Sequence, residues 1–156
     1  MTNRLQKEIK KVKPFESAEQ EAYLNMLRTV QFLTEPFERM MKPFNLSSTQ
    51  YNVLRILRGA GDPLPCGQIG DRMVTRDPDI TRLLDRLEKR GLIERHRTAT
   101  DRRVVLASIT AEGLKLLKQL DQPVMDLHIS QLSHLGKEKL KTLIDLLELA
   151  RDADRE

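Results

Sequence analysis

Residues 72–103 hold ten Arg or Lys against six Asp or Glu, a local surplus of +4. Side chains of this type, crowded in this way, attract phosphate oxygens, and such binding weakens as salt rises. A second surplus of +4 sits in residues 1–13, with five basic and one acidic side chain, and the remainder sums to −4, which leaves the chain at +4. The two clusters differ in pattern. The first is interleaved with apolar residues at helix and strand spacing. The second reads as a basic tail over residues 1–15, solvated and flexible, the ordinary state of a charge run.

Other chemistry finds little support. The chain has no G-x-S-x-G, no P-loop, no dinucleotide fingerprint and no Cys–His pair with an orienting partner, so no catalytic residue and no cofactor are expected. His96, His128, His134 and Cys66 lack the spacing of a metal site. Cys66 is the single cysteine and cannot form an internal disulfide. It points to a reducing cytoplasmic setting, and inert packing is the reading preferred over redox sensing, which needs a lowered thiol pKa. No run of about 18 apolar residues exists to span a membrane, and the N-terminus lacks the apolar core of a secretory signal.

The basic residues need elements to aim them. At 156 residues the chain has room for one domain or two small interlocked ones. Apolar residues from Ala18 to Met41 recur at three- and four-residue steps, which predicts a helix over 16–42 with a kink at Pro36. Ser47 and Gln50 form a capping box for a second helix, Gly59 is its stop, and residues 59–65 (GAGDPLP) are a loop. A third helix covers 66–73. In the fourth, Asp77 is the N-cap, Pro78 takes the first helical position and Asp79 favours the positive helix end. Its stripe is Ile80, Leu83, Leu84 and Leu87. The opposite face presents Pro78, Thr81, Arg82, Asp85, Arg86 and Lys89, with Asp85 and Glu88 pairing along the helix with Arg82, Arg86 or Lys89. Gly91 ends it. Residues 92–97 and 103–109 alternate as two strands around a tip at 98–102. Thr110 caps a further helix bent at Pro123, and a last helix spans 137–152. Mainly α with a small β-hairpin, this order describes a winged helix-turn-helix core. The first and last helices carry apolar stripes too long for that core to cover, which suggests helix packing between two copies.

These residues resemble the MarR family of bacterial transcription regulators, over about residues 17–152. The resemblance rests on TRLLDRLEKRGLIER (81–95), on Asp101-x-Arg103 followed by Ile109 and Thr110, and on Ile69, Gly70, Met73, Ile80 and Leu83 at helix-turn-helix spacing. It implies a winged helix-turn-helix at 45–113, flanked by a helical dimerisation domain at 16–44 and 114–154. It implies a homodimeric repressor on a pseudo-palindromic operator in double-stranded DNA, responsive to a small aromatic effector. The residues it assigns to DNA are Arg76, Pro78, Asp79, Thr81, Arg82, Arg86, Arg97, Asp101, Arg102 and Arg103. Arg103 is the wing arginine that enters the minor groove and Asp101 the acid that orients it. Two other readings stay open: an oxidant response through Cys66, and a winged protein-interaction module without DNA binding. Tyr23, Phe32, Phe37, Phe44 and Tyr51 are assigned to core packing, with an effector cavity as the alternative; no ligand-binding residue is named.

Overall fold

A computed structural model describes residues 4–101 and 103–152. The chain divides into two compact units, Met1–Pro43 and Phe44–Glu156. This boundary keeps the C-terminal helices with the winged part, whereas the sequence grouped 114–154 with 16–44.

In the first unit a short helix, α1 (Arg4–Glu8), precedes the long α2 (Ala18–Met41). Ser17 caps α2 by accepting the N–H of Gln20 at 3.2 Å, and Pro36 lies inside the helix without dividing it. The segment expected to be a flexible tail is folded among its described residues. Leu5 is 3% exposed. The side chain of Gln6 donates to Lys11 O (3.1 Å), and Lys11 N–H donates back to Gln6 O (2.9 Å), closing a turn in which Lys10 takes φ +53°. One buried leucine and one glutamine are too sparse to register as periodicity among five cations.

The second unit begins with a turn of 3₁₀-helix at Lys42–Phe44, shared across the boundary, and then α3 (Ser48–Ala60). Ser47 and Gln50 form both halves of the capping box. The helix passes through Gly59 and stops at Gly61, whose φ of +75° supplies the left-handed turn that Gly59 was expected to supply. Strand β1 (Leu64–Pro65) follows, then α4 (Cys66–Arg72), α5 (Ile80–Lys89), β2 (Ile93–Arg97), β3 (Val105–Ile109), α6 (Ala111–Leu132), a 3₁₀ turn at Ser133–Leu135 and α7 (Gly136–Asp152). The sheet order is β1-β3-β2, all antiparallel, with Leu64 opposite Ala107 and Arg95 opposite the same Ala107 on the other side. The sequence placed β1 in a loop. Two residues ending in proline carry no alternation to detect.

The core of this unit gathers Val53, Leu54 and Leu57 of α3, Ile69 of α4, Leu84 and Leu87 of α5, Ile93 and Ala107 of the sheet, and Leu117 and Leu120 of α6, each at most 2% exposed. Burial of each large side chain contributes about 1.5–3 kcal/mol, so four helices and a sheet of three strands lock into one body. Met73, Leu83 and the half-buried Ile80 and Gly70 complete the helix-turn-helix seam.

The first turn of α6 is pressed onto the hairpin. Thr110 Oγ1 donates to Gly91 O (2.6 Å) and accepts the N–H of Gly113 (3.2 Å), and Thr110 N–H donates to Leu92 O (3.1 Å). A Cβ on Gly113 would overlap the carbonyl oxygen of Leu92 and lie 2.6 Å from Ile109 Cγ1. The obstacle is backbone and cannot rotate away. Gly113→Ala is therefore expected to destabilise the protein by about 1–3 kcal/mol, the usual cost of overpacking, despite alanine's better helix propensity. Urea denaturation checks this; an unchanged or raised midpoint would mean that α6 does not dock so closely.

Candidate nucleic-acid interface

Two aspartates build the start of α5. The N–H of Asp79 donates to Asp77 Oδ1 (2.8 Å), and Asp79 Oδ1 accepts the N–H of Arg82 (3.0 Å) as the N-cap. The cap thus falls on Asp79 and not on Asp77, whose carboxylate closes the preceding turn. Pro78 lies in that turn, ahead of the helix. On the other side of the turn, the side chain of Asn52 in α3 accepts the N–H of Val74 (2.9 Å), a brace that no sequence pattern announced. At the far end the Arg90 guanidinium donates to the carbonyls of Phe44 and Asn45.

Between these fixings α5 turns Leu83, Leu84 and Leu87 inward and leaves Thr81, Arg82, Arg86 and Lys89 exposed, with Arg76, Pro78 and Asp79 exposed just ahead. Arg82 Nε lies 3.7 Å from Asp79 Oδ2. Both groups face solvent, so this pair holds the guanidinium only weakly and leaves it available.

The hairpin tip is closed by its own side chains. Thr98 Oγ1 donates to Asp101 O (2.6 Å) and accepts the N–H of Asp101 (3.1 Å). Asp101 Oδ1 accepts the N–H of Arg103 (2.9 Å), and Val104 N–H donates to Asp101 O (3.0 Å). The acid therefore holds Arg103 by its main chain and leaves the Arg103 side chain exposed. Arg97 and Asp101 are exposed as well. Arg102 lies outside the described residues.

The residue that joins helix to wing is Arg95, which the sequence reading did not single out. Its Nη2 donates to Asp85 Oδ1 and to Glu88 Oε2 (2.6 Å), its Nε to Glu88 Oε2 (3.0 Å), and its backbone N–H to Glu88 Oε1 (2.9 Å). Asp85 and Glu88 thus pair across to β2, and not along α5 with Arg82, Arg86 or Lys89. The alternation of β2 explains it: Arg95 shares a face with the buried Ile93, so it points towards α5, where two carboxylates one turn apart meet a guanidinium fork. The hydrogen bond from Arg95 holds Glu88 below its ordinary carboxyl range, and the same bond raises Arg95. A similar tie joins α3 to α6. Arg58 grips Asp121 with two bonds of 2.7 and 3.0 Å, Arg55 stands 3.8 Å from the same carboxylate, and Asp121 is lowered by the Arg58 bond.

Cys66, at the start of α4, is half-buried, and desolvation pushes its thiol up, more than the positive charge of Arg95 draws it down. A protonated thiol is a poor nucleophile. Among the described residues no group of three or more His, Cys, Asp or Glu could hold a metal ion, and no helix is long and apolar enough to cross a membrane.

Arg95→Met leaves two carboxylates on α5 without their cation. Both are partly exposed, which limits the expected loss to about 1 kcal/mol at neutral pH. Glu88 is depressed in the folded state, so its share of stability is present above the unfolded value of about 4.3 and is lost as pH falls through the folded value. The gap between wild type and variant in urea midpoints should narrow as acid is added below that point. A gap that stays constant from neutral pH into strong acid would show that the pair does not form.

A model of the MarR family matches residues 46–105, from just ahead of α3 to the first residue of β3. The multiple antibiotic resistance protein MarR of Salmonella typhimurium is 33% identical over 69% of this chain and 75% of its own length. The crystal structure of a MarR transcription factor from Planctomyces limnophilus is 46% identical, covers 87% of this chain and 99% of its own, and superposes with a TM-score of 0.67. A cysteine variant of MarR from E. coli, complexed with operator DNA, is 25% identical over 86% of this chain and 99% of its own, with a TM-score of 0.70. NadR in complex with 4-hydroxyphenylacetate is 27% identical over 91% of this chain and 100% of its own, with a TM-score of 0.71. By sequence and by winged helix-turn-helix architecture, this DNA-binding transcription regulator belongs to the MarR family.

Proposed function

We propose that the protein is a cytoplasmic, homodimeric repressor that binds a pseudo-palindromic operator and releases it on binding a small aromatic effector. The observation that carries this reading is the exposed polar face of α5, coupled through Arg95 to a wing whose tip displays Arg103. Thr81, Arg82 and Arg86 of α5 enter the major groove, where an arginine fork on guanine gives about 1–3 kcal/mol of discrimination. Arg76, Pro78 and Asp79 line the entry of the helix to the groove, with Arg97 and Arg102 at the backbone beside the wing. Arg103 inserts into the narrow, electronegative minor groove, and Asp101 limits its freedom by fixing its main chain.

The apolar rows favour pairing of two copies. In the first unit Tyr23, Leu27 and Val30 of α2 are more than half exposed, and in the second Ile144, Leu146 and Leu149 of α7 likewise. Tyr23 and Phe32, assigned to core packing from the sequence, are exposed, Phe37 and Phe44 are half-buried, and Tyr51 alone of the five is buried. Rows of this length mark an interaction surface. Two reading heads joined in this way must stand about one helical turn apart to meet successive major grooves. An effector that favours another spacing shifts affinity by a coupling of about 1–3 kcal/mol. The complex of NadR with 4-hydroxyphenylacetate supports an aromatic acid as the effector class. No specific observation favours the oxidant response, given the raised Cys66 thiol, or the module without DNA binding, given the retained basic face.

Selection of bound duplexes from a random pool at fixed salt should return a two-fold symmetric consensus; no enrichment would defeat the reading. On that consensus, Arg103→Ala should weaken binding by about 1–3 kcal/mol while sedimentation still gives a dimer, and equal affinity would remove the wing from the interface. Peroxide should release wild type and Cys66→Ser equally or not at all; release of the wild type alone would restore the oxidant reading.

A further inference from the structure

The N-terminal basic segment is the strongest charged patch that the winged core does not use. Residues 4–13 carry Arg4, Lys7, Lys10, Lys11 and Lys13 against a single acid, Glu8. Two of these cations are already engaged: Arg4 Nε lies 2.8 Å from Glu8, and Lys11 Nζ sits 5.7 Å from the centre of the Phe15 ring. Glu8 is shared with Arg28 of α2 at 3.8 Å, so the only acid is neutralised twice. Lys7, Lys10 and Lys13 remain exposed, with no ion pair among the described residues. A loose tail would spread these charges over a large volume. Here buried Leu5 and the Gln6–Lys11 turn hold them in one short folded stretch.

We infer that this segment is a second DNA contact: Lys7, Lys10 and Lys13 bind phosphates of the duplex that the winged core reads, adding affinity without sequence preference. The inference rests on the DNA-binding reading above. Phosphate is the partner that fits the chemistry. The amide of Gln6 is engaged by Lys11 O and the Phe15 ring by Lys11, which leaves exposed ammonium groups that can neutralise backbone charge but do not read base edges. Duplex DNA fits better than an anionic membrane, because Leu5 is turned inward and the exposed Ile9 and Val12 are isolated side chains, not the continuous apolar face that a lipid surface takes.

The test uses the full chain in three forms: wild type, a triple variant with Lys7, Lys10 and Lys13 changed to Gln, and a charge-matched control with Lys137, Lys139 and Lys141 of α7 changed to Gln. Affinity for the selected operator is measured across a salt series. Each lost phosphate contact should make the slope of log K against log salt shallower by about 0.9. The N-terminal triple should show that loss, with the same consensus sequence preferred, and the α7 control should keep the wild-type slope. Equal slopes in all three proteins, or the same loss in both variants, would overturn the inference while leaving the winged interface intact. Binding to phosphatidylserine vesicles that the N-terminal triple abolishes, with its DNA slope unchanged, would overturn it in favour of a membrane. Wild type that binds no duplex at any salt would remove both the underlying reading and the segment's role.

Discussion

The Arg95 guanidinium, held between Asp85 and Glu88, fixes helix α5 against strand β2. A recognition helix and a wing tip can act on two grooves together only if the distance between them is set before DNA arrives. Helix α5 and strand β2 are joined in sequence by three residues, Arg90, Gly91 and Leu92, of which Gly91 at φ +68° is the left-handed stop of α5, and a hinge of that sort fixes no angle by itself. Four hydrogen bonds from one residue do. The same bonds place a cation between two carboxylates that would otherwise oppose phosphate. The charge surplus of residues 72–103 is thus sorted in space: Asp85 and Glu88 are turned to Arg95, Arg86 and Arg103 are exposed, and Arg82 is held only by the solvent-facing Asp79.

The rest of the second unit transmits that geometry to the C-terminal helices. Gly113 lets α6 approach the carbonyl of Leu92, Thr110 stitches the approach, and Arg58 with Asp121 repeats the tie one helix away. Interiors packed at this density move as bodies and not by gradual yielding. Contacts of this kind between α6, the hairpin and α3 are what the proposed control by an effector requires.

Much of this was legible in the residues. The capping box at Ser47, the stripe of α5, the hairpin and the Thr110 cap all appear where local pattern and final structure agree. The misses share a cause. Asp77 and Asp79 are equally good caps by type, and only the closed turn at Asp77 separates them. Gly59 and Gly61 are equally good stops until φ is known. Strand β1 exists because β3 offers it an edge, not because Leu64 and Pro65 prefer to be extended. The partners of Asp85 and Glu88 lie across the fold, and helical spacing knows only neighbours at three and four residues. The folded N-terminal segment rests on a single buried leucine. Of the candidate site, residue types and exposure were readable; the side chains that hold them, Asn52, Arg90 and Arg95, were not, because each acts through contacts distant in sequence.

The order β1-β3-β2 leaves the sheet with two unequal rims. One ends after two residues at Pro65, which lacks the N–H that a further strand would need. The other, β2, reads IERHR and fills its length with ionisable groups. Sheets with open borders invite stacking by neighbouring chains, and short, proline-ended or charged borders discourage it. Borders of this kind guard the winged sheet against annealing with its neighbours into fibrils.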